Sequence, residues 1–150
     1  MYYLLRGQVY TFGEATLCSF GGVETDADFI DRDEDAARAA QPTLEQMKEG
    51  VTSASRTDGK IDYFVTHEAP STLRATFTDA RGGALNEYLD RLMKMCKFSG
   101  WYFGCYHLDR SVAGVYHAVY SRALPLVKTV GFTVEKPRKI KEKRSKEKRK

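Results

Sequence analysis

Tyr, Val, Phe, Leu and Cys cluster between the breakers Gly7, Gly13 and the pair Gly21-Gly22. That alternation of apolar clusters and glycines predicts three short strands, Tyr2 to Leu5, Gln8 to Phe12 and Ala15 to Phe20, arranged as a small meander. From residue 24 to residue 40 the pattern turns polar and acidic, with Asp26, Asp28, Asp31, Asp33, Glu34 and Asp35. Little apolar surface is left to anchor a regular element, so a long surface loop is expected. Pro42-Thr43 then opens a helix. Thr43 is the N-cap, Gln46 completes a capping box, and Leu44, Met47 and Val51 lie on one face until the helix ends by about Ser55.

Ile61 to Thr66 is a nearly continuous apolar run with β-branched and aromatic residues, the pattern of a central strand covered on both sides. Gly83 to Cys96 places Leu85, Leu89, Leu92 and Met93 on a helical stripe, with Asn86, Glu87, Asp90 and Lys94 off it. Gly100 to Phe103 reads as the next strand. Two strands joined through such a helix form a crossover unit that lays them parallel and brings their carboxyl ends to one edge. Val112 to Ser121 and Leu126 to Glu135 read as final strands pairing across Arg122 to Pro125. The fold class is therefore α/β, with a mixed sheet and helices.

A chain of 150 residues that is 42% hydrophobic is long enough for one domain with a real core. No stretch is apolar enough to span a bilayer. The start, Met1 to Gly7, lacks the basic and apolar regions of a secretory signal, so a cytoplasmic protein without a membrane partner is expected. Cys18, Cys96 and Cys105 are odd in number with no CxxC spacing, which argues for free thiols. The formal charge of +4 averages two different regions. Residues 136 to 150 hold ten Lys or Arg and two Glu, leaving 14 basic against 18 acidic side chains in residues 1 to 135. Residues 1 to 135 therefore read as the folded domain and 136 to 150 as a basic disordered tail, with Ile140 its only large apolar side chain.

The expected crossover brings His67, at the end of Asp62-Tyr63-Phe64-Val65-Thr66-His67-Glu68-Ala69-Pro70, beside Cys105 and His107 of Trp101-Tyr102-Phe103-Gly104-Cys105-Tyr106-His107. Imidazoles at strand ends suit Mn, Fe or Zn, and Cys105 adds either a thiolate ligand or a small buried hydrophobe. A His at a strand end is otherwise a polar cap. The other candidates are weaker: His117 reads as a strand surface residue, and the acidic run Asp26 to Asp35 lacks the Gly and terminal Glu of a calcium loop. Neither Ser19 nor Ser53-Ala54-Ser55 has a Gly-x-Ser-x-Gly setting.

Thr-His-x-x-Pro followed by a helix and then Trp-Tyr-Phe-Gly-x-x-His-x-Asp resembles the last two signature blocks of the bacterial calcineurin-like metallophosphoesterases. The resemblance runs from about residue 3 to residue 127 and is specific in the two ligand blocks, modest elsewhere. It implies a partial calcineurin-like sandwich that binds metal at His67, Cys105 and His107. By the resemblance His67 would bind the second metal and His107 the first, and the place of Cys105 would normally be a His on the second metal. It further implies two divalent ions, Mn, Fe or Zn, and phosphoester hydrolysis through a hydroxide bridging them.

The chain departs from the family pattern in lacking the upstream Asp-x-His, Gly-Asp and Gly-Asn-His-Asp blocks. The expectation is thus the carboxy-terminal half of a phosphatase-type hydrolase, its N-terminal half absent, inactive alone and acting on a phosphoester once completed. Sheet packing against a missing half implies self-association of the isolated chain. The other reading is a non-catalytic binding or scaffold protein that uses the basic tail nonspecifically on nucleic acid.

Overall fold

The computed structural model describes residues 3–24, 34–79 and 82–126. Its centre is a six-stranded sheet, β1 (Gln8–Phe12), β2 (Ala15–Phe20), β3 (Tyr63–Thr66), β4 (Gly100–Phe103), β5 (Arg110–Val112) and β6 (Tyr116–Ala118), in the spatial order β1-β2-β3-β4-β6-β5. The inner strands β2, β3, β4 and β6 run parallel, while β1 and β5 close the edges antiparallel. Among the described residues four helices join them: α1 (Glu34–Ala40), α2 (Leu44–Arg56), α3 (Ser71–Arg74) and α4 (Ala84–Met95). The mixed α/β expectation holds, and β3 and β4 pair in parallel through the crossover, with Tyr63 opposite Gly100 and Thr66 opposite Phe103.

Strand alternation sorts side chains onto two faces. Cys18, Phe20, Phe64, Trp101 and Phe103 face the helices and share a core with Ala54, Leu85, Leu89 and Leu92. Phe64 stacks on Trp101 with centroids 4.3 Å apart, and Phe98 meets both edge-on. The opposite face carries Leu17, Tyr63, Val65 and Tyr102, and none of the helices among the described residues packs on it. Leu4, Phe12 and Leu126 lean over Leu17 and Tyr63 around a cavity of about 310 Å³. Farther along, Val65 remains 39% exposed.

The helix α2 starts as its sequence dictates. Gln46 N–H donates to Thr43 Oγ1 at 3.2 Å, and Thr43 N–H donates back to Gln46 Oε1 at 3.0 Å, satisfying two otherwise unpaired amides. Its buried side differs from the expected stripe, because Leu44 is 67% exposed whereas Gly50, Ser53 and Ala54 are buried. The small residues let the helix close on the sheet. Gly7, at φ +76°, comes so near that a Cβ on it would lie 2.8 Å from the Gly50 amide nitrogen. Both the left-handed turn and the close approach require glycine there.

Three expectations need correction, and one helix is additional to them. Residues 3 to 5 form no strand: β2 already pairs with β1 on one side and β3 on the other, and the chain lies beside the sheet with Leu5 N–H donating to Tyr10 Oη at 2.7 Å. Residues 34 to 40 are helical rather than loop. Ala36, Ala37, Ala39 and Ala40 favour helix, Glu34 and Asp35 stand where the helix dipole favours anions, and Glu34 pairs with Arg38 one turn on. The helix α3 follows Pro70 and was not anticipated. Finally, Val112 to Ser121 is not one strand but a hairpin, in which Ala113 at φ 51° and Gly114 at φ 72° turn β5 into β6. The expected partner strand, Leu126 to Glu135, lies outside the described residues save for Leu126, which is in no strand. Tyr2, residues 25 to 33 of the acidic stretch and the basic tail also lie outside them.

Candidate functional site

Because β3 and β4 are adjacent and parallel, their carboxyl ends deliver the two motif loops to one edge of the sheet, where α/β proteins place their chemistry. The loops are joined through their backbones: Gly104 and Cys105 N–H both donate to the His67 carbonyl, at 3.2 and 3.0 Å. His67 N–H in turn donates to Phe20 O at 3.4 Å, tying the junction to β2. The three residues expected as metal ligands thus come from loops in direct contact.

Their side chains turn to different partners. His67 is exposed. His107, in the left-handed region at φ 49°, is exposed with its ring packed on Tyr120 at 5.0 Å. Cys105 Sγ–H donates inward to Glu68 Oε1 at 3.4 Å. Burial pushes the Cys105 thiol up to about 11, helped by the Glu68 charge and hydrogen bond and opposed by Arg74, so the sulfur is a neutral donor at physiological pH. Among the described residues, no group of three or more His, Cys, Asp or Glu side chains is placed to hold a metal ion. These residues alone do not fit a two-metal centre, and no catalytic step follows from them.

The organising group of the edge is one that sequence reasoning passed over. Glu68 is 3% exposed. Its Oε2 accepts from Arg74 Nη1 at 2.5 Å, Tyr106 Oη at 3.2 Å and Asn86 Nδ2 at 3.3 Å. Asn86, expected off the buried stripe of α4, is fully buried because its amide also donates to Ala69 O at 2.8 Å and its Oδ1 accepts from Gly83 N–H at 3.0 Å. Burial pushes the Tyr106 phenol up to about 12, with the Glu68 charge adding to it. A carboxylate this deep persists only when paired and hydrogen-bonded, and Glu68 has both. The sequence signal was a Glu set among residues with a buried signature, His67-Glu68-Ala69-Pro70, with an Arg six positions on.

Asp109 completes the edge. Its carboxylate accepts from Ser121 Oγ at 2.5 Å, Tyr120 N–H at 2.9 Å and Ser121 N–H at 3.2 Å. The Ser121 hydroxyl first and the backbone amides after it hold its carboxyl well below the ordinary carboxylate range. His117 lies on β6, as expected for a strand residue, stacked on Tyr102 at 4.7 Å with Ser111 Oγ 2.8 Å from Nδ1. Burial first and Arg122 second lower its pKa, which keeps the ring neutral.

Fold and edge together define a mixed α/β protein with helices packed on one face of its sheet and two His-bearing loops joined at the carboxyl edge of its parallel strands. No protein-family model matches the chain, and no curated protein or solved structure matches it either. No helix among the described residues is long and apolar enough to cross a membrane.

Proposed function

We propose that the chain is the carboxy-terminal half of a calcineurin-like metallophosphoesterase, presenting His67 and His107 to a phosphoester-hydrolysing centre whose remaining ligands come from a segment this chain does not contain. The observation that carries the reading is the junction of the two motif loops, with two backbone amides after β4 donating to the carbonyl of His67 after β3. The sheet face on which none of the described helices packs supports it, since a sandwich needs a second layer there. Among the described residues no group of three or more His, Cys, Asp or Glu side chains is placed to hold a metal ion, so the chain alone should not turn over substrate.

The test is to assay the purified chain with a chromogenic phosphodiester and Mn²⁺, then to repeat the assay with a separately expressed N-terminal half of a calcineurin-like phosphoesterase. Silence alone and turnover in the mixture, lost in His67→Ala, would support the reading. Turnover by the chain alone, or a mixture that binds yet stays silent, would overturn it.

The net charge of +8 over residues 136 to 150, ten basic against two acidic side chains, favours a second reading as a nonspecific nucleic-acid binder. Retention on an oligonucleotide matrix that falls steeply with salt and vanishes on deleting residues 136 to 150, without hydrolysis, would establish it.

A further inference from the structure

Beyond the two backbone bonds to the His67 carbonyl, the Glu68 side chain gathers several parts of the edge onto one carboxylate. Its four donors come from α3 (Arg74), α4 (Asn86) and the β4–β5 loop (Cys105 and Tyr106), while Glu68 itself stands in the β3–α3 loop. Thr66, two residues earlier, donates from Oγ1 to the Glu68 carbonyl at 2.6 Å and accepts from Trp101 Nε1 at 2.9 Å, which ties the same loop to the core. Cys105 donates to this cluster, and among the described residues it joins no group of three or more His, Cys, Asp or Glu side chains placed to hold a metal.

We propose that Glu68 is a positioning residue whose buried carboxylate, rather than a metal ion, holds the His67 and His107 loops in their relative places, with Cys105 serving as one of its hydrogen-bond donors. The assignment rests on the hydrogen-bond geometry and does not depend on the phosphoesterase reading. A metal joins two loops by drawing ligands from each. Here a carboxylate standing in one loop does so by drawing donors from the other and from α3 and α4, with the Arg74 guanidinium supplying the opposite charge at 13% side-chain exposure. Chelation should then leave the edge intact, whereas removing the carboxylate should release it.

Thermal unfolding of the intact chain, with EDTA and with added Zn²⁺, tests this without any substitution: the two midpoints should coincide, and Zn²⁺ should not protect Cys105 from alkylation. Glu68→Gln and Arg74→Met should each lower the midpoint by roughly 10 °C, and the double variant should lose no more than the worse single one, because each single change strands the other partner. In Glu68→Gln, Cys105 should alkylate several-fold faster while the buried Cys18 and Cys96 stay slow, which separates release of this loop from unfolding of the core. A midpoint lowered by EDTA, protection of Cys105 by Zn²⁺, or losses that simply add in the double variant would overturn the assignment. The chelation and protection results decide it even where a variant fails to fold.

Discussion

The two faces of the sheet are built from the same strands and are finished to different degrees. Phe64 and Val65 are neighbours in β3, yet Phe64 is fully buried against Trp101 and the helices, whereas Val65 is 39% exposed on a face that, among the described residues, carries the segments around Leu4 and Leu126 and no helix. Trp101 and Tyr102 repeat the contrast on β4, the first fully buried and the second half-buried. The helix face supplies a closed core. The other face is apolar in composition, and among the described residues no full layer covers it, which is the condition that drives association.

The contrast breaks most sharply at β3. Phe64→Ala should cost about 3–5 kcal/mol, because it removes a fully buried ring from a stacked cluster, and denaturant unfolding would measure it. If the open face matters as much to the fold, Val65→Ala will cost a similar amount. It should instead cost less than about 1 kcal/mol, as expected where little surface is removed from contact.

Tyr63 sharpens the comparison, because it lies on the open face yet is only 2% exposed, under Leu4, Phe12 and Leu126. Among the described residues its hydroxyl meets no hydrogen-bond partner. Tyr63→Phe should therefore stabilise the chain by about 1 kcal/mol, since a buried unpaired hydroxyl is removed without loss of packing. A loss of stability would mean that the hydroxyl has a partner on this face and that the cover is more complete than Leu4 and Leu126 provide.

The smallest effect concerns acid. Asp109 fixes Tyr120 and Ser121, from which the chain runs on to Leu126 over the open face. Its folded-state carboxyl is held below the ordinary value of 3.8, so the stability it contributes is complete above that pH and is lost as pH falls below it. His117 acts in the same direction at higher pH: its folded pKa lies below the ordinary 6.5, so its contribution is present above that value and declines as pH falls through it. Asp109→Asn should flatten the acid limb of a stability-against-pH curve, and an unchanged limb would exclude Asp109 as its source.

Much of this arrangement was legible in the chain. The strand Gly100–Phe103 and the helix after Gly83 follow from composition and period, and the capping box at Thr43 and Gln46 marks a helix start through a local chemical rule. What escaped was non-local or cryptic. The helix Glu34–Ala40 was hidden because acidic residues were counted as loop formers when, at an N-terminus, they favour helix. The β5–β6 hairpin turns at Ala113-Gly114, where alanine adopts a left-handed conformation that composition does not advertise. Glu68 was missed because its donors stand 6, 18, 37 and 38 positions away, and only the fold brings them to one carboxylate.

Sedimentation velocity on the intact chain over a range of concentrations, beside the variant Val65→Lys/Leu126→Lys, tests most directly whether one face of this sheet is open. The account predicts concentration-dependent association of the wild type, abolished in the charged variant without loss of cooperative unfolding, because lysines on an uncovered face repel a second apolar surface and leave the helix-side core untouched. A wild type that stays monomeric throughout, together with a variant that unfolds, would show that this face is already closed and would contradict the account.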